Sequence, residues 1–222
     1  MLRDKKAVIF DLDGTLTDSM WVWTDIDRDF FAARGMEMPD ALQEDIEGMS
    51  FSETAAYFVE TFSLPETVDE LKEVWNGMAM EKYANVLPLK PGAMEFLQYL
   101  KQQGIKMGIS TSNSNLLLDV FLKARKLDGY IDAVTTGCDV CKGKPAPDVY
   151  LKTAEKLGVD PADCLVFEDI PMGIMAGKSA GMKVCAIEDD YSANLVEQKK
   201  ELADYYISDY RQIMEHTYEV LK

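Results

Sequence analysis

The sequence predicts an α/β fold: a doubly wound, mostly parallel sheet with an α-helical block inserted after its first strand. Three observations carry this. The apolar run Ala7-Val8-Ile9-Phe10 stops at Asp11, as a buried strand does when its tip is polar. Residues 20–83 show helical periodicity and no convincing strand. From Pro88 onward short apolar runs alternate with helical patterns, the signature of parallel strands joined by crossover helices.

The elements follow in order. After the strand at 7–10, Asp11-Leu12-Asp13-Gly14-Thr15-Leu16-Thr17-Asp18 reads as an acidic loop. Helices are expected from Met20 to Arg34, from after Pro39 to Gly48, from Ser52 to Phe62, and from after Pro65 to Asn85. Proline near the starts and glycine near the ends fit their positional preferences. This block holds all three tryptophans, and most of its aromatic residues are assigned to a helical core. Pro91–Gln103 is the next helix, with Met94, Leu97 and Leu100 on one face and Gly104 as its stop. Lys106–Ser110 is a strand, and a polar loop leads into a helix at Leu116–Arg125. Ile131–Val134, Cys164–Phe167, Lys183–Ile187 and Asp204–Ile207 are further strands. Pro147–Leu157 and Pro171–Ala180 are helices between them, and a last helix is expected over Tyr210–Leu221. Residues 1–17 and 89–222 therefore form one α/β domain, and residues 18–88 a helical domain inserted into it, with junctions at 16–19 and 86–90.

Composition narrows the function. A chain of 222 residues buries enough surface to fold without disulfides. Its 47% hydrophobic and 28% charged residues are ordinary for a soluble domain. The net charge of −16 argues against nucleic acid as a partner, because a phosphate backbone calls for basic patches. The inserted block is more acidic still, with fifteen acidic against four basic side chains over residues 19–88, a net of −11. No N-terminal apolar stretch is long enough for a signal peptide or a membrane span, so a cytoplasmic protein without a membrane partner is expected. Cys138 and Cys141 have metal-ligand spacing, but no second pair exists and the one histidine, His216, is remote. They read as reduced loop thiols. With a single histidine, acid–base work falls to carboxylates.

Polar groups gather at the predicted C-terminal strand ends, the edge where open α/β sheets bind ligands. They are Asp11 and Asp13, Thr111 and Ser112, Lys144 in the loop beyond the third strand, and Glu168 and Asp169. Each has a structural reading alone: Thr111 as a helix cap, Lys144 as a solvated lysine, Glu168-Asp169 as acids before a helix. Together they are hard to explain as independent choices. Two carboxylates about 4 Å apart repel by roughly 4 kcal/mol at an effective dielectric near 20, and one lysine does not offset four acids. An all-oxygen donor set without His or Cys points to Mg²⁺.

The run Val8–Asp18 resembles the nucleophile motif of the haloacid dehalogenase-like (HAD) superfamily of phosphatases and phosphomutases. Thr111 is similar to that family's second motif. Lys142-Gly143-Lys144-Pro145-Ala146-Pro147-Asp148 resembles the lysine motif of its β-phosphoglucomutase-like subfamily, and Val166–Ile174 with Ala180-Gly181-Met182 resembles the fourth motif. The helical insertion matches the family's cap in position and size. The resemblance implies that Asp11 is a nucleophile forming a phosphoaspartate, and that Asp13 is the acid and then the base. It implies that Thr111, Ser112 and Lys144 bind phosphate. Mg²⁺ would be held by Asp11, the backbone of Asp13, Asp169, and Glu168 directly or through water. The substrate would be a small phosphorylated metabolite, turned over by a monomer.

Where the subfamily's mutases carry a cap histidine and a cap arginine, this sequence has Trp23 and Phe51. A phosphatase is therefore expected ahead of a sugar phosphomutase. Dehalogenases lack the second aspartate. Phosphonate hydrolysis needs a cap lysine, and the cap offers only Lys72 and Lys82. A response-regulator receiver would place its phosphorylated aspartate on the third strand and have no cap. A non-catalytic binding protein would have no reason to keep every charged group.

Overall fold

Ala7–Phe10 forms strand β1, buried at all four residues, an interior strand of a seven-stranded sheet. The structure is a computed structural model that describes residues 1–222. After β1 come α1 (Met20–Ala33), α2 (Leu42–Ile46), α3 (Phe51–Thr61) and α4 (Val68–Glu81), the last running into a π-helical turn at Lys82–Val86. Then follow α5 (Ala93–Gln102), β2 (Lys106–Thr111), α6 (Asn115–Arg125), β3 (Ala133–Thr136), α7 (Asp148–Leu157), β4 (Cys164–Glu168), α8 (Pro171–Ser179) and β5 (Lys183–Ile187). The chain ends with α9 (Val196–Leu202), β6 (Tyr205–Ile207), α10 (Arg211–Met214) and β7 (Glu219–Val220).

The strand order is β3-β2-β1-β4-β5-β6-β7, parallel throughout except for the last pair. β1 lies between β2 and β4, so the winding direction reverses beside it, and a crevice opens at its C-terminal end. The period-2 alternation of a strand divides the apolar interior between the two faces. Val8, Phe10, Leu165 and Phe167 join one buried cluster, while Ala7, Ile9, Cys164 and Val166 join the other. The first cluster continues into the helical insertion through Tyr83, Phe51 and Trp75. Phe30, Phe31, Phe58 and Trp75 pack there mainly edge to face, and none is more than 3% exposed.

The two chain segments that join the insertion to the sheet run side by side. Thr17 pairs with Leu89, its hydroxyl donates to the Pro88 carbonyl at 2.6 Å, and the Lys90 N–H donates to the Leu16 carbonyl. The insertion is folded down onto the strand ends. The Phe51 N–H donates to the Ser112 carbonyl at 2.8 Å, and the Gly143 N–H donates to the Glu53 carboxylate. Ser50 and Glu53 form a capping box at the start of α3. Glu53 thus caps its own helix and ties it to the loop carrying Lys144.

The C-terminus departs from expectation. The helix expected over Tyr210–Leu221 is one turn, α10. His216 adopts a left-handed backbone at φ 58°, the Thr217 N–H turns back to the Gln212 carbonyl, and Glu219-Val220 pairs antiparallel with β6. The segment 190–202 is helical where no element was predicted. All four cysteines are free, and no helix is long and apolar enough to cross a membrane.

Candidate active site

β1 delivers Asp11 to the sheet edge with its carboxylate almost fully buried. Lys144, 6% exposed, bridges two acids: its ammonium donates to Asp11 Oδ1 at 2.6 Å and to Glu168 Oε1 at 2.5 Å. The Tyr150 hydroxyl also donates to Glu168 Oε1, and the Asp169 N–H donates to Glu168 Oε2 at 3.1 Å. Glu168 is therefore fully engaged in holding its neighbours. α8 begins close enough to require a glycine: a Cβ at Gly173 would meet the Glu168 carboxylate at 2.0 Å.

Asp169 differs. Thr15 donates to its Oδ1 at 2.9 Å, but Oδ2 is buried without any partner. Gly14, at φ 83°, makes the close turn beneath it; a Cβ there would lie 2.3 Å from Asp169 Oδ2. Asp11, Glu168 and Asp169 can each offer an oxygen within 4.8 Å of the others. An orphaned carboxylate oxygen beside two more acids is a donor set that suits a hard divalent cation.

The electrostatics agree. Burial pushes the Asp11 carboxyl up to about 7 against the pull of Lys144, with Glu168 and Asp13 adding to the rise. Asp169 is held well above the carboxylate range, first by burial and then by Asp11 and Glu168. Burial alone would lower Lys144, but Asp11 and Glu168 outweigh it and keep the ammonium charged.

Asp13 is surrounded by groups the sequence did not single out. Ser19 donates to its Oδ1 at 2.7 Å, the Tyr83 hydroxyl donates to the same oxygen, and Asn113 Nδ2 donates to Oδ2 at 2.9 Å. The Trp23 indole N–H donates to Tyr83 at 3.0 Å. The only signal for Asn113 was its place in the polar loop after β2; nothing marked Tyr83. Thr111 is 1% exposed, and its Oγ1 accepts from the Asn113 N–H at 3.1 Å. Ser112 lines the cavity, and its carbonyl is spent on Phe51. All seven sequence-selected residues, Asp11, Asp13, Thr111, Ser112, Lys144, Glu168 and Asp169, line one cavity of about 380 Å³ beneath the helical insertion.

A family model described as haloacid dehalogenase-like hydrolase matches residues 8–187. The chain belongs to the haloacid dehalogenase-like hydrolase family. Among curated relatives of this HAD chain, a bifunctional riboflavin kinase/FMN phosphatase of Arabidopsis thaliana is 35% identical over 82% of the chain; the chain spans about half, 48%, of that relative. A phosphorylated carbohydrates phosphatase of Thermotoga maritima is 30% identical over 80% of the chain and 82% of its own length. The structure of β-phosphoglucomutase from Clostridium difficile superposes with a TM-score of 0.78 at 24% identity, covering 96% of this chain and 97% of that one. At that identity it shows the shared fold.

Proposed function

We propose that this HAD protein is a Mg²⁺-dependent phosphatase that hydrolyses a small phosphorylated metabolite through a phosphoaspartate on Asp11. The observation that carries the reading is the Lys144 bridge. It places a buried cation on the oxygen of a buried carboxylate, in a cavity that also holds a second aspartate and an orphaned acid. The relatives named as phosphatases support the hydrolase class.

In the first half-reaction an Asp11 oxygen attacks phosphorus and the ester P–O bond breaks. Asp13 gives its proton to the departing oxygen. In the second half Asp13 takes a proton from water, the water oxygen attacks phosphorus, and the Asp11–phosphorus bond breaks to release inorganic phosphate. Lys144 binds the phosphoryl oxygens, and the Thr111 hydroxyl and the Ser112 loop orient them. Glu168 and Tyr150 fix Lys144 for this task. Asp11, Asp169 and the Asp13 backbone would hold Mg²⁺, with Glu168, whose oxygens already accept from Lys144, Tyr150 and the Asp169 N–H, in a supporting role. The cation supplies neutralisation of the phosphoryl charge, the dominant need in phosphoryl transfer.

A phosphatase is favoured over a mutase by what the cavity lacks. Trp23, Phe51 and Glu47 face it where a second phosphate would need cations, and Lys144 is its one basic lining residue. The test is a screen of phosphomonoesters for phosphate release with Mg²⁺ and with chelator, including β-glucose 1-phosphate with a trace of its bisphosphate. Release that stops in chelator is expected. Conversion to glucose 6-phosphate without free phosphate would overturn the assignment.

A further inference from the structure

Besides the groups around Asp11, the cavity is lined by further acids and by aromatic rings. Asp27 on α1, 6% exposed, lines it. Gln43 donates to Asp27 Oδ2 at 2.7 Å; no donor reaches Oδ1, and no lysine or arginine pairs with the carboxylate. Glu47 lines the same cavity, and its Oε1 is buried without a partner. The Tyr191 hydroxyl donates to Gln43 Oε1, and Asp27 and Glu47 both act on its charge, so both acids lie within electrostatic reach of one hydroxyl that lines the cavity. Trp23 and Phe51 form the adjoining wall, with ring centroids 6.0 Å apart. The one lining cation, Lys144, is already shared between Asp11 and Glu168.

One buried carboxylate oxygen without a donor, on Glu47, and a second donorless oxygen, on the cavity-lining Asp27, are costly unless a ligand supplies donors. A neutral polyol would supply hydrogen bonds but leave the charge uncompensated. An ammonium group supplies donors and charge together, and aromatic faces beside it add cation–π attraction. A carboxylated or second phosphorylated group would be repelled. We propose that Asp27 and Glu47 form an ammonium-binding subsite, and that the substrates of this protein are phosphomonoesters whose leaving group carries a protonated amine. The proposal rests on the phosphatase reading and sharpens it to a substrate class. The subsite fixes specificity rather than chemistry: the amine anchors to the acids while the phosphate reaches Lys144.

The test uses matched aryl esters that differ only in the terminal group: O-phosphotyramine, 4-ethylphenyl phosphate and the 4-(2-carboxyethyl)phenyl ester. Two hexose esters, glucosamine 6-phosphate and glucose 6-phosphate, form a second series. p-Nitrophenyl phosphate turnover separately tests whether the protein is a phosphatase. Affinities of the same esters for the Asp11→Asn protein, by calorimetry with Mg²⁺, read the charge preference without turnover. The ammonium member of at least one series should exceed its neutral partner by about tenfold or more, the size of one charge-assisted contact, with the carboxylate last. Asp27→Asn and Glu47→Gln should each cut the ammonium-to-neutral ratio by about tenfold. Equal handling of ammonium and neutral esters in both series, by turnover and by affinity, would overturn the proposal. So would a preference that survives both substitutions.

Discussion

Asp27→Asn should make the protein more stable at neutral pH. Burial raises the Asp27 carboxyl to about 6, and the Gln43 bond only partly opposes this. An unfolded aspartate titrates near 3.9, so the difference is about two units, or ~3 kcal/mol. The sign follows from proton binding. Between pH ~4 and ~6 the folded protein keeps a proton that the unfolded chain has released, so this group's contribution to stability rises as the pH falls through that window. Above pH ~6 both states are ionised and the cost of the buried charge stands in full. Asparagine keeps a carbonyl acceptor for Gln43 and removes the charge. The variant should gain up to ~3 kcal/mol at pH 7.5 and lose the rise toward pH 4 that this group contributes. That figure is an upper limit because the unpaired oxygen faces the cavity. In thermal terms the gain is at most about 6–12 °C for a chain of this size. Urea titrations of both proteins at pH 4.5, 6 and 7.5, without Mg²⁺, read it directly. A variant less stable than wild type at pH 7.5, or one with the same pH slope, would show that Asp27 is already neutralised by something else.

Gly173→Ala should destabilise by about 1–3 kcal/mol, because its Cβ would meet the Glu168 carboxylate at 2.0 Å. The displaced Glu168 should also release Lys144, so activity at saturating ester falls in the fraction that remains folded. Mg²⁺ at a hundredfold excess over its dissociation constant should raise stability by about 2.7 kcal/mol, visible as a thermal shift of roughly 5–10 °C. Asp169→Asn should abolish that shift; a full shift in the variant would place the cation elsewhere. Tyr83→Phe removes one donor from Asp13 and should lower kcat about tenfold for alkyl esters, with a smaller loss for p-nitrophenyl phosphate. Equal losses would mean that Tyr83 positions the substrate or the insertion rather than Asp13.

The sheet was readable because each strand is a short apolar run with a polar end, and local pattern decides such elements. The strand-end residues were readable for the same reason: Asp11, Thr111 and Glu168 are the last or next residues of their strands. What the sequence hid depends on contacts between distant segments. Tyr83 reaches Asp13 across 70 positions, and Tyr191 reaches Gln43 across 148. Neither pairing has a local signature, because both exist only once the helical insertion sits on the sheet. Asp27 is one of fifteen acids in the helical block, and burial alone distinguishes it. The C-terminal error has a similar cause. Tyr210–Leu221 carries no proline or glycine to break a helix, and the reversal at His216 is fixed by strand pairing with β6.

The most direct test of the phosphoaspartate mechanism is to trap it. p-Nitrophenyl phosphate needs little help with its leaving group, so Asp13→Asn should still form the phosphoenzyme but stall before water attack. Rapid acid quench of that variant with Mg²⁺, followed by peptide mass spectrometry, should find a phosphoryl group on the peptide containing Asp11, close to one per chain. Nitrophenolate should appear as a matching burst. Steady hydrolysis by Asp11→Asn, or an unmodified Asp11 peptide after the burst, would contradict it.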